Sequence, residues 1–352
     1  MEWKFRKDFQ VMPGIYLKYG KGGIHTEIKP LATDIEFETE KLKHSILKPY
    51  EAQHEIKSAS IDKLTSKELQ DFKALLLASD KASNETSLIL TTKTTLLNNH
   101  TQKLTNLKKS FFKFLFKKKI NLMEQDLPLL NEEVEELKEQ LRYSSVQLEI
   151  DSEDTFADLY KNVKKAFSLL NSSQKKWDFT SSRQTNRIAE RTSAANTITR
   201  SEIKISERHL PIIRTEVPAL CFHNINGGDL FLYPGFLIVY ESNADFAIIS
   251  YTDLKIDFNQ VRFIETDPIP ADTKVVDKTW FKVNKDGSPD KRFSNNYQIP
   301  IVVYGEIHLK SSSGLNEVYC FSNTELTNLF YIALTEYIDA IQKSQALINE
   351  FK

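Results

Sequence analysis

The chain has 352 residues, 40% hydrophobic and 27% charged, with 47 Lys and Arg against 48 Asp and Glu for a formal net charge of -1. That leaves room for two or three domains and a packed core, and no global field draws the protein to nucleic acid or acidic membranes, so such binding needs a local patch. Only Cys221 and Cys320 are present, the start of the chain carries Glu2 and Asp8 in place of a signal-peptide core, and no apolar run approaches the roughly 20 residues that span a bilayer. The expectation is a reduced, cytoplasmic protein with no transmembrane segment.

Glycine and proline divide the chain. Gly14, Gly20, Gly22 and Gly23 lie at the start and no glycine follows until Gly227, while Pro128 stands alone between Pro49 and Pro211. Because these residues punctuate turns, the sequence predicts an α+β protein in three regions: a β-hairpin module over 1–30, a mainly helical middle over 31–210, and an antiparallel β domain over 218–352.

In the first region Gly20, Gly22 and Gly23 raise the question of a phosphate-cradling loop. A dinucleotide fingerprint needs a third glycine at the position of His25 and a helix after it, whereas Ile24, Thr26 and Ile28 alternate as a strand does. The Walker Gly-Lys-Ser/Thr is absent too. The glycines are read as a hairpin turn between Ile15-Tyr16-Leu17 and Ile24-His25-Thr26. A lone hairpin is marginally stable, so it must dock on another sheet or helix.

Phe5-Arg6-Lys7, Pro13-Gly14 and Lys21-x-Gly23-Ile24-x-Thr26 resemble the short bacterial module catalogued as the domain of unknown function 4236 family, with His25 where that family usually has serine. The similarity covers about 30 residues. Trp177-Asp178-Phe179-Thr180-Ser181-Ser182 and residues 284–293 look like the longer bacterial proteins that carry this module. The resemblance implies a bacterial cytoplasmic protein of uncharacterised role and brings no catalytic residues.

In the middle region Thr65-Ser66-Lys67-Glu68 has capping-box spacing and predicts a helix start. Leu90, Leu97, Leu104 and Phe111 recur every seven residues, and Leu130, Val134, Leu137 and Leu141 alternate by four and three. This is the pattern of two helices packed in coiled-coil style, with Pro128 near their turn. A third helix is predicted from Asp154, with Phe156, Leu159, Tyr160, Val163, Phe167 and Leu170 on one face. Val146, Leu148 and Ile150, then Ile203 and Ile205, alternate as in a small sheet.

The third region reads as strands over 219–223, 229–233, 235–241, 246–251, 254–258, 298–309 and 315–321, with turn chemistry at Asn226-Gly227-Gly228 and Pro234-Gly235. Ser322-Asn323-Thr324-Glu325 then opens a helix with Leu326, Phe330, Ala333, Tyr337, Ile338 and Ile341 on its apolar face. Strands closed by one helix are the order of a pleckstrin-homology-like barrel.

Three stretches carry candidate contacts. In SSRQTNRIAERTSAANTITR, residues 181–200, a helix would place Arg183, Arg187 and Arg191 on one face to grip phosphates, whereas a solvated connection between strands would leave them paired with Glu190 and nearby acids. Residues 103–119 hold seven lysines, Lys117, Lys118 and Lys119 among them, and no acid, interleaved with Phe111, Phe112, Phe114, Leu115 and Phe116. That suits an anionic membrane or a nucleic-acid backbone. The plainer reading is a helix C-terminus with its phenylalanines in the core and Glu132, Glu133, Glu135, Glu136 and Glu139 facing the lysines. The long connection over 265–297 offers Trp280, Asp290, Arg292 and Phe293 as partner contacts.

No catalytic, cofactor or metal residues are assigned. The histidines lack metal-ligand spacing and neither G-x-S-x-G nor H-E-x-x-H occurs. His223 with Asn224 and Asp229 is where a catalytic set assembled from distant residues would be sought. The leading expectation is a non-catalytic interaction or scaffold protein with a protein partner. A phosphate or nucleic-acid binder and a peripheral membrane binder are the alternatives.

Overall fold

The computed structural model describes residues 9–12, 15–20, 23–28, 55–144, 146–148, 155–215 and 217–350. Phe5, Arg6, Lys7, Pro13, Gly14, Lys21, Gly22, Ile150 and Asp154 lie outside them. Strands β1 (Phe9–Met12), β2 (Ile15–Gly20) and β3 (Gly23–Ile28) open the chain. β2 and β3 form the expected antiparallel hairpin, with Leu17 opposite Thr26 and Gly20 opposite Gly23. Its docking partner is β4 (Val146–Leu148), which pairs in parallel with β3 and then with β8 (Ile213–Thr215), so one five-stranded sheet runs β1-β2-β3-β4-β8.

Helix α1 (Gln70–Lys109) and helix α2 (Lys117–Tyr143) form the long hairpin. Leu104 and Val134 are buried between them and Leu90, Leu97, Leu130, Leu137 and Leu141 are half-buried, as the spacing predicts. Phe111 is not on this seam, because α1 ends at Lys109 and the chain turns at Ser110. Pro128 sits inside α2, well away from the turn.

The capping-box residues also depart from expectation. A short 3-10 turn (Lys67–Leu69) precedes α1, and Ser66 makes no side-chain cap. Its hydroxyl instead accepts from Ser250 N at 3.1 Å, and Ser66 N donates to Ile248 O at 2.9 Å. These groups satisfy the open edge of β12 (Phe246–Ser250), which would otherwise present unpaired amides.

Helix α3 (Thr155–Leu170) leads into β5 (Lys176–Gln184), a one-turn helix α4 (Arg187–Glu190), β6 (Asn196–Glu202) and β7 (Ile205–Arg208). Then come β9 (Ala219–Phe222), β10 (Asp229–Leu232), β11 (Phe236–Tyr240) and β12, an antiparallel meander in the sheet β12-β11-β10-β9-β7. β13 (Leu254–Ile264), β15 (Gln298–Ser311) and β16 (Asn316–Phe321) join β5 and β6 in a third sheet, β13-β15-β16-β5-β6, and β14 (Lys274–Trp280) pairs with β15. β14 occupies part of the connection read as a loop over 265–297.

The sheets are open, so no pleckstrin-homology-like barrel forms. The reason is topological: after β12 the chain leaves the meander and β13 pairs with β15 along its whole length, from Leu254 opposite Ser311 to Ile264 opposite Ile301. β7 pairs with β9 and β5 with β16, so both sheets draw strands from either side of the 210–218 boundary.

Helix α5 (Thr324–Glu350) closes the chain, capped by Asn323 Oδ1, which accepts from Leu326 N at 3.0 Å. It lies so close to β15 that a Cβ on Gly305 would meet Thr327 at 2.5 Å, so glycine is required there. The main core gathers the apolar faces of α3 and α5, the start of α1 and the inner strands. Strands β9 and β12 are buried at every residue, which is why they read as continuous apolar runs. A second cluster, with Trp177, Phe179, Val302, Tyr304, Val318 and Cys320, covers the other face of the third sheet.

Candidate functional site

At the far end of the helical hairpin, α1 gives way to a turn at Ser110 and a 3-10 segment (Lys113–Phe116) before α2 begins. Phe111, Phe112, Phe114, Leu115 and Phe116 are 89%, 55%, 68%, 68% and 40% exposed. They are not core residues. Lys117, Lys118 and Lys119 form the first turn of α2, not a C-terminal turn, and that turn contains no acid. The helix dipole therefore adds to their positive charge.

The acidic run of α2 does not reach this tip. Lys93 pairs with Glu133 at 2.6 Å, and only Lys108 of the basic segment has a described acidic partner, Glu124 at 2.5 Å. The register of those two pairs places residues 109–119 beyond every acid of α2 that is paired across the hairpin.

The arginine stripe is not a helix face. Arg183 lies on β5, Arg187 opens α4, and Arg191 is its C-cap with φ of 54°. Asn186, which caps α4, breaks the run between them. Arg183 grips Glu190 through two hydrogen bonds of 2.8 and 3.1 Å, as the solvated reading anticipates.

Arg191 reaches across to the 265–297 connection, where Arg191 and Arg292 both bond Asp290 Oδ2, at 3.0 and 2.8 Å, and the Arg191 guanidinium lies 5.0 Å from the Phe293 ring. Two candidate contacts thus merge into one internal cluster. Asp290 is buried, and its hydrogen bonds from Arg292, with the nearby Arg191 charge, hold its carboxyl at about 2. It is a latch between segments and is not available to a partner. Arg292 and Phe293 remain exposed beside it, and Trp280 is half-buried at the end of β14.

Two further charged sites are not visible in any local motif. Arg200 on β6 lies 4.4 Å from the Trp177 ring and 4.8 Å from the Phe263 ring, and its Nη2 bonds both oxygens of Glu265 at 2.9 and 2.8 Å. Burial works against its charge, but the bond to Glu265 prevails and raises its pKa. Tyr304 donates to the same carboxylate at 2.6 Å, and burial with that bond raises the phenol. This aromatic cage is filled by the protein's own arginine.

The second site joins Asp178, Glu317, Asn224 and Tyr319, all buried. Asp178 accepts from Ile225 N at 2.8 Å and Glu317 from Ser58 Oγ at 2.5 Å, with the Asn224 side chain close enough to favour the Glu317 carboxylate, while Asp178 Oδ1, Glu317 Oε2, Asn224 Nδ2 and Tyr319 OH make no close hydrogen bond among the described residues. Burial raises both carboxyls against those bonds, Glu317 to about 7 with a contribution from the Asp178 charge. Among the described residues no three His, Cys, Asp or Glu side chains converge as a metal site.

His223 Nδ1 does lie 2.6 Å from Asp229 Oδ1, beside a cavity of about 630 Å³ that Ser206, Arg208, Cys221 and His223 help to line. Cys221, on β9 two residues before His223, is ill-suited as a nucleophile: burial pushes its thiol up to about 11, leaving it protonated at neutral pH.

No family model, curated protein or solved structure matches the chain.

Proposed function

We propose that the protein is a non-catalytic interaction protein in which the three-sheet body is the base and the α1–α2 hairpin is the contact arm. The observation that carries this reading is where the arm stops touching the body. Phe72 and Leu76 belong to the main core and Asp80 accepts from Asn243 Nδ2 at 2.9 Å. Beyond Asp80, among the described residues of the two helices, the buried side chains are Leu104, Met123 and Val134, which lie between the helices themselves. The roughly 30 further residues of α1 extend about 45 Å at 1.5 Å per residue. Ordering so long an exposed arm carries a conformational cost that its sparse burial offsets poorly, which is reasonable where the tip has a partner.

The nucleic-acid alternative keeps the exposed Lys117, Lys118 and Lys119 but not an arginine stripe, since Arg183 and Arg191 are committed to Glu190 and Asp290. The resemblance of the first 30 residues adds a bacterial, cytoplasmic setting to the proposal. A photocrosslinking amino acid at position 114 tests it in living cells, with one at the exposed Ile188 of the body as the comparison. Adducts, protein or lipid, that form at position 114 and not at 188 support the arm. Equal labelling at both positions, or labelling at 188 alone, overturns it.

A further inference from the structure

We infer that the tip of the helical hairpin docks on an anionic lipid bilayer, which rests on the reading of the hairpin as a contact arm and names what it contacts. Residues 111–119 read FFKFLFKKK and every one of them is exposed. Water-facing phenylalanines are usual when scattered singly, but five large apolar side chains at one turn mark a surface that is covered in use.

The geometry selects the cover. A helix that fits a protein groove presents one stripe at i, i+3, i+4 spacing. Here Phe111 and Phe112 stand in the turn with rings at 5.5 Å and 86°, and Phe114, Leu115 and Phe116 follow through the 3-10 segment. Apolar groups that leave a tip over consecutive positions suit a fluid apolar medium better than a shaped pocket. The charge selects the headgroup: Lys109, Lys113, Lys117, Lys118 and Lys119 surround them, with no described acid bonded to any of the five. Their long stems reach outward while the rings enter the acyl boundary. The same charge opposes tip-to-tip pairing of two copies. The tip also contains no arginine, the side chain that grips a nucleic-acid phosphate bidentately, and its lysines suit diffuse attraction to a charged plane.

Co-sedimentation of the full chain with vesicles of phosphatidylcholine alone, and of phosphatidylcholine mixed with phosphatidylglycerol, tests this. The expected result is binding to the mixed vesicles only, weakening as salt rises. Each lysine near the surface is worth about a fivefold factor, so K113E/K117E/K118E/K119E lowers binding by more than about 100-fold. F111S/F112S/F114S/F116S lowers it by at least about tenfold with the lysines intact. Because these side chains are exposed, both variants keep the melting temperature. A Phe114→Trp variant gives a direct signature, a blue shift of its emission with mixed vesicles and quenching by brominated acyl chains.

Equal binding to both vesicle types, or binding to the mixed vesicles that survives the serine variant, overturns the proposal. So does capture of single-stranded nucleic acid by the wild type in place of vesicles. If vesicle binding fails while the crosslinker at position 114 still yields a protein adduct in cells, the lipid assignment falls and the contact arm stands.

Discussion

Replacing Glu317 and Glu306 by glutamine should change how stability depends on pH. Each is 1% exposed, and each has one carboxylate oxygen with no close hydrogen bond among the described residues. Burial pushes each from 4.5 to about 7, against hydrogen bonds from Ser58 to Glu317 and from Asn259 to Glu306. Raised folded-state values mean that the folded protein holds protons the unfolded chain has released. Stability from these groups is therefore fully present below about pH 4.5 and is lost as pH rises to about 7. The displacement corresponds to a ceiling of about 3 kcal/mol for each residue, with a slope of at most about 1.4 kcal/mol per pH unit. Asp178, also raised, acts with the same sign, whereas Asp290, held at about 2, acts at lower pH and with the opposite sign. Glutamine resembles the protonated acid and cannot ionise, so E306Q/E317Q should be more stable than the wild type by about 1–3 kcal/mol near pH 8 and nearly equal to it near pH 4.5. Urea unfolding across that range, followed by tryptophan fluorescence, measures both curves. Parallel curves, with no reduced slope in the double variant between these values, would refute the argument that buried ionised carboxylates weaken the protein at neutral pH.

Arg200→Ala should cost about 3–5 kcal/mol in urea unfolding, because it leaves Glu265, 3% exposed, buried without its cation. Arg200→Lys should recover little of that, since an ammonium cannot stack on Trp177 and Phe263 as the guanidinium does. Arg183→Ala removes only an exposed pair with Glu190 and should shift stability by less than about 1 kcal/mol, and an effect as large as that of Arg200 would count against the burial argument. Gly305→Ala places a methyl group 2.5 Å from Thr327 and should destabilise by about 1–3 kcal/mol in thermal melts, with Thr327→Gly in the same chain lessening the clash. Excising residues 95–131 in favour of a short glycine-serine turn, just beyond the Lys93–Glu133 pair, should leave the melting temperature of the body within a few degrees, because that segment buries only its own seam.

What the sequence by itself determined is everything whose signal is local. The glycine-poor middle with leucines at 90, 97 and 104 specifies a helical pair because helix periodicity and propensity are properties of neighbouring residues. Gly20 and Gly23 specify the hairpin turn, and the apolar runs at 219–222 and 246–250 specify strands buried on both faces. Tertiary structure decided the rest. Phe111 continues the leucine spacing but leaves the seam because the helix stops two residues earlier, which exposes the tip. Thr65 and Ser66 have the spacing of a cap, yet they serve a strand edge 182 or more residues away. Arg191 meets Asp290 across 99 positions, Arg200 meets Glu265 across 65, and Glu317 meets Ser58 across 259. No window of sequence contains both members of such a pair. Only the folding of three open sheets onto shared cores brings those charges together, and of these groups it is Glu317 whose protonation burial then shifts.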